Sequence, residues 1–416
     1  MQPKKAAVTW QNACVERLSE HAPVMLEAML QWYRPWALAW RTRCLQVTRL
    51  YGPTPSGQPG TVVAAGMVPW VYRLPYRFFT TKPQCEKLGE YPIWRLPTIL
   101  QQLGETADLT LAYVDRLTAR WFFRHGYLTI PDTVDCWLPV ADALSTMAQP
   151  NHSLKEDLRV VRRERLQPEV SHMIADCDMF WQTMHAPFVR MRHGEVAIVH
   201  SPTSLRRAIQ GGGIVWAQRC GERIAGCVVR QQGDTLRMVA LGTANGEQKW
   251  VHCGAITALY RFCIQYAHEQ GCTQINFGGT FPFLHDGLLR YKRKWGAQVA
   301  LAPHDSHQHL LWWAQPGGPL LDFLAHTPLI FQSHGRLAGL TAWSTREPGT
   351  VAELLELQRS LAIPGLQQLV VMSASSQELA SASSLLLAPS ANRTEPNMPL
   401  VLRSAAQFLQ EFAGPS

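Results

Sequence analysis

The sequence is short of charge and contains no long apolar run. Charged residues make up 17 % of the 416 residues, below the level of about a quarter that is typical of globular domains. The longest apolar runs fall well short of the roughly 20 residues that a bilayer span needs. Met1 to Ala7 is followed by Val8-Thr9-Trp10-Gln11-Asn12 rather than by the apolar segment of a signal peptide. We therefore expect a cytoplasmic protein without a membrane span.

Several familiar motifs are also missing. No G-x-S-x-G, Walker A or Rossmann glycine pattern occurs, so hydrolase, NTPase and dehydrogenase functions have no supporting motif. The 10 cysteines form no CxxC pair, which favours small buried residues in a reducing compartment. His304, His307 and His309 lie beside Asp305, but their spacing differs from the i, i+4 pairs of helical zinc sites. The sequence therefore predicts no metal.

Basic residues are in surplus, and the surplus is unevenly placed. The net charge is +8, which favours anionic ligands such as phosphorylated cofactors or RNA. From Thr341 onward acidic residues outnumber basic ones, so the whole surplus lies upstream of that residue. The basic surface that would attract such ligands therefore lies upstream of Thr341.

The length predicts two or three domains. Turn clusters and composition suggest divisions into residues 1–150, 151–303 and 320–416. In the first part, strands are expected at 61–67, 109–114 and 134–140, and helices at 96–103 and 115–125. The last part is predicted to be an appended small α/β unit, and the sequence does not indicate its function. A strand is expected at 366–374, between helices near 350–362 and 403–412.

The middle of the chain has the clearest pattern of elements. Three β-rich runs at 214–219, 224–230 and 235–241 are joined by short Gly-containing links, which predicts an antiparallel meander. An apolar stripe from Val251 to Tyr266 predicts a helix, and a strand at 273–277 runs into Gly278 and Gly279. The fold class is therefore α/β (α+β), with a mixed, mostly antiparallel sheet and a crossover helix.

The segment before the crossover helix is a candidate phosphate site, because free N–H groups at a helix N-terminus attract anions. It begins at Gln248. Lys249 and His252 offer further donors, and Gly254 permits close approach of the backbone. A glycine at this position is equally explained by helix packing.

A basic helix is expected from Leu154 onward. Arg159, Arg162 and Arg163 recur at helical spacing and could hold a phosphate or an RNA backbone. Acidic residues are interspersed among them, so a salt-bridged surface helix is the alternative.

The most distinctive segment joins INFGGT to DGLLRYKRKWGA, and it ends in a cluster of basic residues from Arg290 to Lys294. His285 and Asp286 could form a base in which the carboxylate orients the imidazole. Alternatively, Asp286 is a helix N-cap and the basic residues are a solvated helix end.

Together with LKEDLRVVRRERL from Leu154, this segment resembles the FemAB-like branch of the GNAT N-acyltransferase superfamily, most strongly over residues 150 to 300. The resemblance implies two GNAT-like halves, the first of them degenerate, with the catalytic cleft in or against the second. It places Tyr291 and Lys292 at the acyl-transfer site, where Lys292 would stabilise an oxyanion and Tyr291 would protonate a thiolate. Asn276, Gly278 and Gly279 would contact substrate.

Two departures from the family pattern stand out. Residues 248 to 255 do not match the usual pyrophosphate loop, and Asn276 stands where many relatives carry Asp. The leading hypothesis is an N-acyltransferase that moves an acyl group from acyl-CoA to an amine of a small-molecule, sugar or peptide acceptor. The alternatives are aminoacyl transfer from aminoacyl-tRNA and a GNAT-fold subunit that has lost catalysis. The oligomeric state is not readable.

Overall fold

The computed structural model describes residues 43–66, 73–123, 126–194, 199–302, 306–343, 351–373 and 398–404, together with 408, 409 and 411. The chain divides into two compact units. The first contains the residues up to Ile130 together with His304–Phe323 and Ser404–Ser416, and the second contains Pro131–Pro303 with Leu324–Arg403. The break after Ile130 differs from the expected break at 150.

The described residues form strands and helices throughout. The strands are β1 (Cys44–Pro53), β2 (Pro59–Gly66), β3 (Gln84–Pro92), β4 (Leu109–Asp115), β5 (Leu128–Pro131), β6 (Val134–Pro139), β7 (Gln167–Ser171), β8 (Gly212–Arg219), β9 (Glu222–Gln232), β10 (Thr235–Thr243), β11 (Gln274–Thr280), β12 (Gln298–Leu301), β13 (His307–Trp312), β14 (Leu329–Ser333), β15 (Arg336–Ala342), β16 (Leu369–Ser373) and β17 (Leu400–Ser404).

The helices are α1 (Leu96–Gly104), α2 (Arg116–Phe122), α3 (Val140–Ala148), α4 (His152–Arg163), α5 (Asp176–Phe180), α6 (Ala186–His193), α7 (Pro202–Gln210), α8 (Gln248–His252), α9 (Ala255–Glu269), α10 (Gly287–Lys294), α11 (Gly318–His326) and α12 (Val351–Leu361). A π-helical turn at Trp181–His185 joins α5 to α6.

The first unit is built on a sheet in which β13, β4, β2, β1 and β3 are successive neighbours. β2 and β4 are parallel, whereas β1 pairs antiparallel with both β2 and β3. Apolar side chains from this sheet and from α1 form its core, including Val47, Val63, Leu96 and Leu100. The expected strand at 109–114 and helix at 96–103 are both present.

The second unit contains a seven-stranded sheet in the order β12-β6-β11-β10-β9-β8-β7. The meander is confirmed, since β8, β9 and β10 pair antiparallel in succession. The crossover is confirmed as well, because α9 leads from β10 to β11 and these two strands pair in parallel. The mixed α/β fold class that the sequence predicts is therefore present in this unit.

Strand β6 has a different place from the one expected. Its residues were expected to close the first part, yet β6 lies between β11 and β12 in the sheet of the second unit. Its strand propensity could be read from the sequence, but its partners depend on register across more than a hundred residues of intervening chain.

The crossover helix begins later than its apolar stripe predicts. The separate short helix α8 ends at His252, and α9 begins after Gly254, which has a positive φ of 81°. A Cβ at Gly254 would lie 3.2 Å from Val160 Cγ1 and 3.3 Å from Val161 Cγ2. The glycine therefore permits both the break between the helices and the close packing of α4 against α9. Leu259, Phe262 and Cys263 are buried in the core, as the stripe predicts.

The C-terminal segment, which the sequence suggests as an appended unit, is divided between the two units. Residues 324–403 belong to the second unit, where β17, β16, β15 and β14 are successive neighbours in a sheet. The expected buried strand is present as β16, and α12 matches the helix expected near 350–362. Leu400–Ser404 is a strand where the start of a helix was expected, and most of the rest of 403–412 lies outside the described residues.

Among the described residues, none of the helices combines the length and the apolar character that crossing a bilayer requires. The described cysteines are all free, and Cys136, Cys177, Cys227, Cys263 and Cys272 are buried. Cys44, Cys85 and Cys220 are exposed, so only part of the set has the expected buried character.

Candidate functional site

The candidate site lies where two neighbouring parallel strands part. β10 and β11 pair only from Thr235 and Gln274 to Arg237 and Asn276. Just after these pairs, the register of β10 shifts between Met238 and Ala240 against β9, and that of β11 shifts between Asn276 and Gly279 against β6. Bulges of this kind bend strands and often occur beside active sites. Both strands therefore diverge at one point and leave backbone groups without a partner in the other.

Gly278 determines the course of β11 at this point. Its φ is +77°, and a Cβ on it would lie 3.1 Å from the carbonyl oxygen of Met238. Its N–H donates to Oδ1 of Asn276 at 2.7 Å. The position therefore favours glycine for both its conformation and its close approach to β10.

A buried carboxylate on β6 accepts hydrogen bonds from side chains on both β10 and β11. Asp135 is 1 % exposed, and its two oxygens accept from the guanidinium of Arg237 at 3.0 and 3.2 Å. Asn276, also 1 % exposed, donates to the same carboxylate at 3.1 Å. The side chain of Arg237 is 29 % exposed, so the outer side of this ion pair reaches solvent. The result is a charge-assisted network that joins β6, β10 and β11.

Lys292 is a buried cation beside the bulge of β11. It is 2 % exposed, and its Nζ donates to the carbonyl oxygens of Gly278 at 2.8 Å and Gly279 at 2.9 Å. Burial lowers the pKa of Lys292, and the nearby acidic groups Asp135 and Asp286 oppose that shift. Two of its three N–H bonds are therefore committed to the protein, and α10 is fastened to β11.

Tyr291 lies beside Lys292 in sequence but contacts a different element. Its hydroxyl is 3.0 Å from Oγ1 of Thr257, in the first turn of α9. Burial raises the pKa of Tyr291 to about 12. The phenol therefore keeps its proton at neutral pH and can serve as a proton donor rather than as a base.

Asp286 serves as the N-cap of α10, which is the alternative that the sequence offered to a pairing with His285. Its Oδ1 accepts from the N–H groups of Leu288 and Leu289 and from the Thr280 hydroxyl. His285 is exposed, and no hydrogen bond joins its ring to Asp286. The carboxylate therefore orients the helix rather than the imidazole.

The three substrate-contact residues suggested on β11 are bound to the protein itself. Asn276 holds Asp135 and the N–H of Gly278, while the carbonyls of Gly278 and Gly279 hold Lys292. They shape the opening, and their direct contact with substrate stays a prediction.

The proposed phosphate donors of α8 lie on the surface. Gln248 and His252 are exposed, and Lys249 forms an ion pair with Glu247 while its ammonium lies 4.7 Å from the ring centre of Trp250. Gly254 is explained by its contact with α4. A cofactor role for these residues stays a prediction.

The three arginines of α4 have different surroundings. Arg159 lies 3.6 Å from Glu156 and Arg163 lies 3.1 Å from Glu164, as in a salt-bridged surface helix. Arg162 instead lines a groove.

Two of the histidines that were considered as metal ligands, His307 and His309, lie in the first unit. The rings of His307 and His309 pack at 5.1 and 4.7 Å from that of Tyr113, and His304 and Asp305 lie outside the described residues. Across the part of the chain that the structure describes, no group of three or more His, Cys, Asp or Glu is arranged to hold a metal.

Asp135 and Arg237 were missed by the sequence analysis. Each is a single charged residue inside an otherwise apolar strand. A buried charged residue needs a partner of opposite charge. A lone charge in an apolar strand could therefore have indicated an ion pair at these two positions. The identity of the partner could not be read, because the two residues are 102 positions apart.

Comparison with known proteins gives similarity in structure only. No family model matches the chain, and no curated protein sequence matches it. Similar solved structures include FemX, with 13 % identity, a TM-score of 0.34, and coverage of 66 % of this chain and 90 % of FemX. L-PGS from Bacillus licheniformis has 14 % identity and a TM-score of 0.34, with coverage of 66 % and 87 %. A GCN5-related N-acetyltransferase from Sphaerobacter thermophilus has 13 % identity and a TM-score of 0.29, with coverage of 62 % and 78 %.

Proposed function

We propose that the second unit is an acyltransferase that moves an acyl group from a thioester, such as acyl-CoA, to an amine. The acceptor would be a small molecule, a sugar or a peptide. The observation that carries the proposal is the parting of β10 and β11 beside the buried ammonium of Lys292. A fixed positive charge beside the point where the parallel pairing ends suits a reaction that develops negative charge on oxygen.

The chemistry is a direct transfer. The amine nitrogen attacks the thioester carbonyl carbon, a C–N bond forms, and the carbonyl oxygen becomes an oxyanion. Collapse of this intermediate breaks the C–S bond, the amine loses a proton to a base, and the departing thiolate takes up a proton. His285, exposed in the loop before α10, is the proposed base, acting through water.

Lys292 would act mainly through the backbone. Because its ammonium binds the carbonyl oxygens of Gly278 and Gly279, it polarises these peptide groups and adds positive potential at the opening. Tyr291, neutral at pH 7, would supply the proton to the thiolate from its position beside Thr257.

The test is a transfer assay with the full-length chain, acyl-CoA donors of several lengths and a panel of amines, with products identified by mass spectrometry. Lys292→Met should lower turnover by about 100-fold, the scale observed when one oxyanion-stabilising group is removed. Lys294→Met is the matched control on the same helix, since Lys294 forms a partly exposed ion pair with Asp157 at 3.2 Å. Full turnover by a folded Lys292→Met variant would refute the role of Lys292.

Two further arms separate the alternative functions. Bulk aminoacyl-tRNA as donor tests aminoacyl transfer. Turnover with tRNA alone would replace the thioester donor in the proposal. No product from any donor would favour a non-catalytic binding subunit.

A further inference from the structure

A basic groove lies on the second unit at the C-terminal end of α4. Its volume is about 400 Å³, within the range of small-molecule sites. The end of α4, the start of β7 and the middle of α9 form its walls. The lining residues are Val161, Arg162, Arg165, Leu166, Gln167, Pro168, Arg261, Phe262 and Gln265.

Three arginines supply all the charge of this groove. None of the described residues that line it is acidic, and no ion pair joins Arg162, Arg165 or Arg261 to a described residue. The adjacent acid, Glu164, is held by Arg163 at 3.1 Å and by Arg219 at 2.8 Å. The groove therefore concentrates positive charge that the described part of the protein does not neutralise.

A second, smaller cavity of about 230 Å³ shares Arg162, Arg261 and Gln265 with this groove. Its other walls are Met147, Ala148 and Leu158. Because Arg162 and Arg261 line both spaces, a ligand that extends from one space into the other would lie beside both residues. This arrangement suits a ligand with more than one charged group.

The backbone at Arg165 adds a second observation. The residue has a positive φ of 52° directly after α4, and the N–H of Leu166 bonds back to the carbonyl of Val161 at 3.2 Å. Helices that end in this way favour glycine at the left-handed position. The chain therefore carries an arginine, which lines the groove, at a position where a glycine would relieve the backbone.

We propose that this groove binds a small molecule that carries at least two phosphate groups. A guanidinium group can donate two hydrogen bonds to a pair of phosphate oxygens. A single carboxylate would not require three guanidinium groups. A concave site of this size favours a small molecule over an RNA, because the neighbouring Arg159 and Arg163 that would extend a nucleic-acid surface are already paired with acids. The groove shares none of its lining residues with the proposed acyl-transfer site, and this proposal does not depend on the acyl-transfer proposal.

The experiment measures binding of inorganic triphosphate to the full-length protein at low salt by calorimetry. Arg162→Ala and Arg261→Ala should each weaken binding at least tenfold. Arg165→Gly should also weaken it, while its melting temperature stays equal to or above that of the parent protein. Arg163→Ala, on the same helix but paired with Glu164, is the matched control and should leave binding unchanged.

Further arms identify the source of the phosphate. Tighter binding of ATP than of triphosphate identifies a nucleotide, and equal affinity identifies the phosphates alone; both results support the proposal. No binding of triphosphate or ATP overturns it. Equal losses in Arg163→Ala and Arg162→Ala overturn it as well, as does binding confined to a single-stranded RNA.

Discussion

The ion pair between Asp135 and Arg237 predicts an unequal response to the loss of either partner. Arg237→Met keeps the aliphatic stem of the side chain but leaves the carboxylate of Asp135, which is 1 % exposed, with Asn276 as its remaining hydrogen-bond donor. Asp135→Asn keeps the shape and leaves the guanidinium of Arg237, which is 29 % exposed and can turn to water. The ammonium of Lys292 is near Asp135 and offsets part of the cost, but a buried charge that has lost its ion-pair partner still costs more than a charge that solvent can reach.

The expected magnitudes follow from that difference in exposure. Arg237→Met should lower the free energy of unfolding by about 3 kcal/mol, in the lower part of the range for a broken buried pair. Asp135→Asn should lower it by about 2 kcal/mol, since one amide hydrogen now faces donors on Arg237 or Asn276. The double variant should be less unstable than the sum of the two, by a coupling energy of about 2 kcal/mol.

The assay is urea unfolding of the full-length chain, followed in parallel by tryptophan fluorescence and circular dichroism. Coincident transitions and a shared slope are required before the midpoints are converted to free energies. Arg219→Met is the control, because its pair with Glu164 is exposed on the arginine side, at 40 % of the side chain. A larger loss for Asp135→Asn than for Arg237→Met, or a coupling below about 0.5 kcal/mol, would refute the reasoning.

Two further predictions concern α10 and the bulge of β11. Burial raises the pKa of Tyr291 from 10 to about 12, so its contribution to stability is complete below pH 10 and is lost as the pH rises towards 12. Unfolding free energies measured from pH 8 to 11 should therefore decline more steeply for the parent protein than for Tyr291→Phe, and parallel profiles would contradict the assignment. Gly278→Ala should lower the free energy of unfolding by about 1–3 kcal/mol, because its φ is +77° and Met238 O lies 3.1 Å from the added Cβ. Gly287→Ala, with open space around its Cβ, is the comparison in the same melting experiment, and equal stability of the two variants would argue against strain at Gly278.

Much of the second unit could be predicted from local sequence. Turn residues set the meander of β8, β9 and β10, and the apolar stripe set the buried face of α9. The alternative interpretation of Asp286 as an N-cap also required only local spacing. These features depend on residues a few positions apart, because turn conformation and helix capping are determined by interactions within a short segment.

The candidate site could be predicted only in part. The segment from Asn276 to Lys292 was singled out by its glycines and its basic helix, and the structure brings these two residues to the same bulge. That Lys292 is buried and bound to two carbonyls was not readable, because a run of basic residues is equally typical of a solvated helix end. Its roles in catalysis stay predictions.

Local patterns in the sequence thus determined the meander of the second unit, the buried face of α9 and the segment that carries the basic helix α10. Only the tertiary structure decided that β6 enters the sheet beside β11, that Asp135 meets Arg237, and that Arg162 lies in a groove with Arg261. The physical reason is that strand pairing and ion pairing depend on which distant surfaces are buried together. The conformational preferences of short segments do not determine which distant segments pair.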